Sequence, residues 1–248
     1  MAFYFERELT LSGFQALTGF SAGGCLFKAV LFDYDGVLVD SMGYHVQAWQ
    51  IVFKDFHIDI QPEDVLLTEG ARSIELARQV LSEHDIAIPE DKLVEFVDKK
   101  QQTYHRITQA SFSEDARKLI PKIKKQGTKV GVVSGGARFD IEKLLPHDIR
   151  VQVNVIISGD EVRHGKPDPE GYVKAAGALE VSPAECLVIE NAPFGIEAAK
   201  RAGMKVAAIT TTLSRRKLRG ADFYARDLQE LEKNWNELDT NSKIQSAK

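Results

Sequence analysis

The chain carries two kinds of hydrophobic pattern in succession. Residues 28–41 open with an unbroken apolar, β-prone run, Ala29-Val30-Leu31-Phe32, as a strand buried on both faces requires. From about Met42 to Ser113 the apolar residues recur at helical spacing instead. Val46, Trp49, Ile51, Val52 and Phe53 predict one helix, Ile74, Ala77, Val80 and Leu81 a second, and Leu93, Phe96, Val97 and Tyr104 a third. Pro62 and Pro89, with acidic neighbours, mark helix starts. Beyond this stretch strands and helices alternate. Helices are predicted over 117–126, 139–145, 171–179, 196–202 and 228–235, with strands over 128–133, 153–158, 186–189, 205–209 and 221–225. Such alternation implies an α/β core, a parallel sheet between two helical layers. The all-helical stretch implies a second, smaller unit inserted over the end of the first strand. The expected divisions are an N-terminal extension over 1–27, a core over 28–41 and 114–236, the helical insertion over 42–113, and a mobile polar tail over 237–248.

Composition narrows the classes without choosing among them. The 248 residues are 44% hydrophobic and 27% charged, with a net charge of −4, ordinary for a globular protein. No basic stripe stands out, so nucleic acid is not an expected partner. Lys122, Lys124 and Lys125 read as the polar face of a helix, and Arg215, Arg216, Lys217 and Arg219 as a solvated loop. The two cysteines, Cys25 and Cys186, have no metal spacing, which suggests a reduced, cytoplasmic protein. No apolar run approaches the ~20 residues of a membrane span. The first 24 residues lack a basic start and an uninterrupted apolar centre, so a signal peptide is not expected.

The candidate chemistry lies where strands end. The first runs into Asp33-Tyr34-Asp35-Gly36. Residues two apart on an extended chain point the same way, so Asp33 and Asp35 can share one site, and Gly36 allows a sharp turn. Taken alone, this sequence fits a solvated acidic turn better than a site. The other strand ends change the balance: Ser134-Gly135-Gly136, the loop Gly165-Lys166-Pro167-Asp168-Pro169, and Glu190-Asn191 ahead of Pro193 and Gly195. Each has a structural explanation by itself, Ser134 as a helix cap for example. Together they supply carboxylates, an amide oxygen, a hydroxyl, backbone N–H groups and an ammonium. That set suits a hard dication and a phosphoryl group.

These four stretches resemble the motifs of the haloacid dehalogenase superfamily: DxDG, the strand-end serine, the lysine loop and the acidic pair before a glycine. The helical insertion is similar to the cap of its phosphoglycolate phosphatase and β-phosphoglucomutase branch, and the resemblance runs from about Lys28 to the last strand. It implies a Rossmann-like three-layer core beneath a helical cap. It implies Asp33 as the nucleophile that forms an aspartyl-phosphate, Asp35 as general acid and base, Ser134 as holder of the phosphoryl oxygens, and Lys166 as the neutralising cation. Mg²⁺ is implied as cofactor, bound by the Asp33 carboxylate, the Asp35 backbone carbonyl and the Glu190/Asn191 pair. Gly135, Glu69, Arg72 and His45 are expected near the substrate, with His45 in a structural or gating hydrogen bond and Arg72 as the only cation of the cap loop. Trp49, Phe53 and Cys186 are expected in cores.

The chain departs from the pattern at three places. Asn191 stands where an aspartate is commoner, Gly43 where the mutases carry an acid, and the arginine of the loop Thr68–Ser73 is displaced by one position. The expected function is a Mg²⁺-dependent phosphatase of a small phosphorylated metabolite such as phosphoglycolate or a sugar phosphate. The alternatives are a β-phosphoglucomutase-like phosphomutase, an inorganic pyrophosphatase, and a silent phosphometabolite-binding protein. Asp35 disfavours dehalogenation, which has no use for it.

Overall fold

The computed structural model describes residues 27–235. The N-terminal extension up to residue 26, Cys25 with it, and the polar tail lie outside the described residues. Six parallel strands form one sheet: β1 (Ala29–Phe32), β2 (Lys129–Val133), β3 (Val155–Ile157), β4 (Cys186–Glu190), β5 (Lys205–Ile209) and β6 (Phe223–Ala225). Their order is β3-β2-β1-β4-β5-β6. β1 lies between β2 and β4, so the order reverses there, and ligands of open α/β sheets bind outside the strand C-termini at such a point.

All four residues of β1 are fully buried, as the continuous apolar run requires of a strand covered on both faces. One face packs on α5 (Glu114–Lys125), α6 (Arg138–Leu144), α7 (His147–Arg150) and α10 (Leu228–Lys233), through Leu119, Ile120, Ile123, Ile141, Ile149 and Leu231. The other packs on α8 (Glu170–Ala178) and α9 (Pro193–Arg201), through Tyr172, Ala175, Ala176, Ile196 and Ala198. Cys186 is buried and free, as expected. The sheet between two helical layers bears out the α/β reading.

Element ends differ from the sequence reading for local reasons. α5 starts three residues early because the Ser113 hydroxyl accepts from the Ala116 N–H at 3.2 Å and Glu114 and Asp115 fill the first turn, both favourable at a helix N-terminus. α9 starts at Pro193 because proline suits the first helical position. The short α7 gives no periodic signal.

Between β1 and α5 lie α1 (Met42–Phe53), α2 (Pro62–Leu67), α3 (Ser73–Glu83) and α4 (Glu90–Ile107). They enclose their own core of Trp49, Phe53, Val65, Leu76, Leu81 and Phe96. Phe96 meets Phe53 edge-on at 5.1 Å, a favoured aromatic geometry. Trp49 and Phe53 are thus core residues, whereas Ile51 is exposed. The chain leaves and re-enters the sheet domain side by side. Asp40 N–H donates to Ser111 O at 3.2 Å, and Ser113 N–H to Leu38 O at 2.8 Å. The four helices form a cap attached at one paired crossing. Among the described residues no helix is long and apolar enough to cross a membrane.

Candidate active site

Phe32, the last residue of β1, is level with Val132 of β2 and Ile189 of β4. Asp33, Ser134 and Glu190 therefore emerge together from adjacent strand ends. Asp33, Asp35, Ser134, Lys166, Glu190 and Asn191 are all buried. Buried polar groups are kept only when paired or when they meet a ligand, and the pairing here is specific.

Lys166 joins two carboxylates. Its Nζ donates to Asp33 Oδ1 and, at 2.7 Å, to Glu190 Oε1. It also stands 5.0 Å from the centre of the Tyr172 ring. The Tyr172 hydroxyl donates to the same Glu190 oxygen at 2.9 Å. Glu190 Oε2 accepts from the backbone N–H groups of Asn191 (2.8 Å) and Ala192 (3.1 Å). Both oxygens of Glu190 are thus committed within the protein, where the sequence reading has them facing a metal. Burial opposes the charge on Lys166, but Asp33 and Glu190 outweigh it and hold its pKa well above the ordinary lysine value.

Among the described residues two buried oxygens have no hydrogen-bond partner: Asp33 Oδ2 and Asn191 Oδ1. Asn191 is oriented from behind. Its Nδ2 donates to Thr212 Oγ1 at 3.1 Å, and that hydroxyl donates to Asn191 O at 3.1 Å, which leaves Oδ1 as the free end. Gly36, at φ +79°, makes room for this amide, since a Cβ there would lie 2.2 Å from Nδ2. A carboxyl and an amide oxygen, both unpartnered, are ligands a hard dication takes; burial raises the Asp33 pKa to about 8 against the pull of Lys166. The donor set fits Mg²⁺, with Asn191 bringing no charge. Among the described residues no group of three His, Cys, Asp or Glu side chains is placed to hold a metal ion, so Mg²⁺ would also need the amide and the backbone.

Asp35 belongs to a second network. Its Oδ1 accepts from Ser41 Oγ at 2.6 Å and meets His45 Nε2 at 3.1 Å, and its Oδ2 accepts from Ser134 Oγ at 3.4 Å. His45 Nδ1 lies 2.9 Å from Lys100 Nζ. An ammonium only donates, so Nδ1 accepts and the ring proton sits on Nε2, facing Asp35. Tyr104 stacks on the imidazole at 4.1 Å and 7°. Burial raises the Asp35 pKa, but His45 and the hydrogen bonds outweigh it and hold the carboxyl at about 2. Burial, helped by Lys100, lowers His45. Burial also brings Lys100 down to about 8.

The cleft between cap and core, about 850 Å³ counted to its open mouth, is lined by Asp35, Ser134 and Gly135 from the core and by His45, Glu69 and Lys100 from the cap. The cap loop rests directly on the core. Gly70, at φ +87°, leaves no room for a Cβ, which would lie 2.4 Å from Lys166 Cδ, and a Cβ on Gly135 would lie 2.7 Å from Gly70 O. Glu69 is thereby carried into the cleft, half-buried.

One expectation about cations needs correction. Arg72 turns away from the cleft, its Nη1 donating to Arg163 O at 3.0 Å. Arg72 is the only cation of the loop Thr68–Ser73, but Lys100 reaches the cleft from α4. The sequence signal for Lys100 was available: it stands four residues after Phe96 and four before Tyr104, on the buried stripe of its helix.

The sequence profile described as haloacid dehalogenase-like hydrolase matches residues 30–209. The chain belongs to that family. It is 32% identical to the validoxylamine A 7'-phosphate phosphatase of Streptomyces hygroscopicus subsp. limoneus, over 83% of this chain and 96% of that protein. It is 30% identical to the β-phosphoglucomutase of Bacillus subtilis, over 82% and 91%. A structure described as a putative β-phosphoglucomutase from Bacteroides vulgatus superposes with a TM-score of 0.80 at 31% identity, over 89% and 92% of the two chains. The haloacid dehalogenase-like chain falls in the β-phosphoglucomutase and phosphoglycolate phosphatase-like branch. It is an enzyme of the phosphatase type.

Proposed function

We propose that this enzyme hydrolyses the phosphate monoester of a neutral, hydroxyl-bearing alcohol such as a sugar or polyol, with Mg²⁺ as cofactor. The observation that carries the choice of alcohol is Glu69. It lines the cleft, and among the described residues no hydrogen bond reaches its carboxyl. Burial, then the Asp35 and Asp33 charges, raise its pKa well above the ordinary value. A carboxyl that keeps its proton both donates and accepts, which suits a hydroxyl. An anionic leaving group would need a cation, and Lys100 is engaged by His45 while Arg72 points elsewhere. Hexitol phosphatase A and the fructose-1-phosphate phosphatase of Escherichia coli, 28% and 25% identical to this chain, support the same class.

In this reading Asp33 attacks phosphorus through a carboxylate oxygen while the ester oxygen leaves. Mg²⁺, held by Asp33 and Asn191 with the Asp35 carbonyl, would neutralise charge on the transferring group. Glu190 is assigned to holding Lys166 rather than to the metal, and Lys166 to neutralising Asp33. Ser134 holds a phosphoryl oxygen. Asp35 is ionised before substrate arrives. A phosphate anion beside it raises its proton affinity, and a monoanionic ester brings the proton that Asp35 passes to the leaving alcohol. Asp35 then takes a proton from the water that attacks the aspartyl-phosphate. The cap, over 42–113, closes the cleft to bulk water. The buried thiol of Cys186 supports a reducing, cytoplasmic setting.

A phosphomutase is the second reading, favoured by the similarity to β-phosphoglucomutases. The test is phosphate release from a panel of polyol, sugar and carboxylate monoesters and pyrophosphate, with Mg²⁺ and after chelation, beside isomer formation from β-glucose 1-phosphate primed with its 1,6-bisphosphate. Release from neutral esters only, lost with Asp33→Asn, is expected. Phosphoglycolate as the best substrate, or isomerisation about tenfold faster than release, a gap of about 1.4 kcal/mol in barrier, would overturn the reading.

A further inference from the structure

Helix α6 is tied to the catalytic strand and to the cap at once. The hydroxyl of Tyr34, the residue between Asp33 and Asp35, donates to Ile141 O at 3.1 Å. One residue earlier, the Asp140 side chain reaches the cap. Its Oδ1 meets His105 Nε2 at 2.6 Å and its Oδ2 accepts from Gln101 Nε2 at 2.5 Å. Gln101 and His105 are one turn apart on α4, so a single carboxylate grips a full turn of that helix. The residues just before them, Lys100 and Tyr104, are the two that hold His45 against Asp35. The contacts close a ring from Asp35 through His45 to α4, across Asp140 to α6, and back by Tyr34.

Among the described residues the other side-chain contacts between cap and core do not do this; Glu75 Oε1, for example, accepts from the Gly165 N–H at only 3.4 Å. Lys217 and Glu63 pair at 3.0 Å with about half of each side chain exposed, which makes a weak bond. Arg72 reaches only a backbone carbonyl. The Asp140 side chain is 17% exposed and accepts two bonds.

We propose that Asp140 is a positioning residue: it docks α4 on the core in the register at which Lys100 and Tyr104 present His45 to Asp35. This rests on the phosphatase reading, with Asp35 as the proton donor to the leaving alcohol. Asp140 itself touches no reacting atom.

The test separates proton donation from mere docking by the choice of leaving group. A polyol phosphate needs a proton on the departing oxygen, whereas p-nitrophenyl phosphate leaves without one. In single-turnover release of the alcohol, Asp140→Ala is expected to slow the polyol ester about tenfold or more and p-nitrophenyl phosphate by less than about twofold. His105→Ala, made from the cap side, should show the same split, so the outcome does not depend on the folding of one variant. In a His45→Ala background, Asp140→Ala should add less than about twofold. Equal slowing of both esters, additivity with His45→Ala, or no slowing in either variant would overturn the proposal. Failure of the unmodified enzyme to release either alcohol would instead overturn the phosphatase reading, and this proposal with it.

Discussion

Replacing Lys100 by Met should make the protein more stable and less active. Lys100 is only 3% exposed, and burial lowers its pKa from 10.5 to about 8. A depression of that size corresponds to about 3 kcal/mol between the charged and neutral forms. Below pH 8 the ammonium is charged in both folded and unfolded chains, and the folded state carries the whole cost. Between pH 8 and 10.5 the unfolded chain holds a proton that the folded chain has released, so this lysine makes stability rise with pH. Above 10.5 the cost is gone. Methionine has a similar, flexible shape and removes the titration. It also loses the ammonium's approach to the Trp49 ring at 5.2 Å and the Tyr104 ring at 5.5 Å, together ~1–2 kcal/mol when desolvated. The buried Nδ1 of His45 is also left without its donor, which costs ~1 kcal/mol, so the expected net gain at pH 7 is at most ~1 kcal/mol.

Urea unfolding of both proteins at pH 7, 8.5 and 10 measures this, because titrating groups not coupled to Lys100 cancel in the difference. The advantage of the variant should shrink steadily above pH 8. Activity should move the other way. His45 Nδ1 loses the ammonium that donates to it, so turnover of a polyol ester should fall about tenfold, ~1.4 kcal/mol. In the unmodified enzyme the charge of that donor is lost as pH rises past 8, which leaves only a weaker amine donor, and activity should decline there, whereas Lys100→Met should be flat over the same range. A variant less stable than the parent by an amount independent of pH would refute the burial argument. Unchanged turnover would refute the link to His45.

Other perturbations probe the remaining groups. Asn191→Asp should tighten Mg²⁺ by about tenfold, since it adds a charge beside the dication, and calorimetric titration with Mg²⁺ reads this directly; an unchanged affinity would remove Asn191 from the ligand set. Gly70→Ala places a methyl 2.4 Å from Lys166 Cδ at φ +87°, so the cap loop cannot seat, and turnover should drop more than about tenfold while the unfolding midpoint shifts by only ~1 kcal/mol; full activity would mean that the loop need not rest on Lys166. Glu69→Gln keeps a donor and an acceptor and should leave kcat/KM for a polyol phosphate within about threefold, whereas Glu69→Ala should raise KM about tenfold through a lost hydrogen bond; equal effects of the two would show that Glu69 does not read a hydroxyl.

Much of the core site was legible in the sequence because each part sits where a buried strand stops. A run such as Ala29–Phe32 has a recognisable end, and in a parallel sheet the residues just beyond that end lie at the edge where ligands bind. The same logic located Ser134 and Glu190. Which atom meets which partner was not legible. Glu190 and Asn191 are adjacent in sequence, yet one is saturated by Lys166, Tyr172 and two backbone N–H groups while the other keeps a free oxygen. That division depends on α8 and on Thr212, each about 20 residues away. Arg72 was misplaced for a similar reason, since the rotamer of a loop arginine is set by whatever carbonyl lies within reach.

The cap shows a different limit. Its hydrophobic stripe gave the helices, but a stripe identifies the buried face without saying what that face does. On α4 the buried turn holds Lys100 and Tyr104, which a periodicity reading takes for core and for an interruption of it. The neighbouring turn holds Gln101 and His105, which the same reading takes for solvent. In the folded chain these pairs lie about 100° apart around the helix, the first toward His45 and the second toward Asp140. Because they share one rigid helix, any shift that loosens the second pair from the core moves the first pair away from Asp35. In the proposed mechanism the cap would therefore affect the chemistry without supplying a reacting atom, since proton transfer at Asp35 would depend on a docking contact made two side chains away.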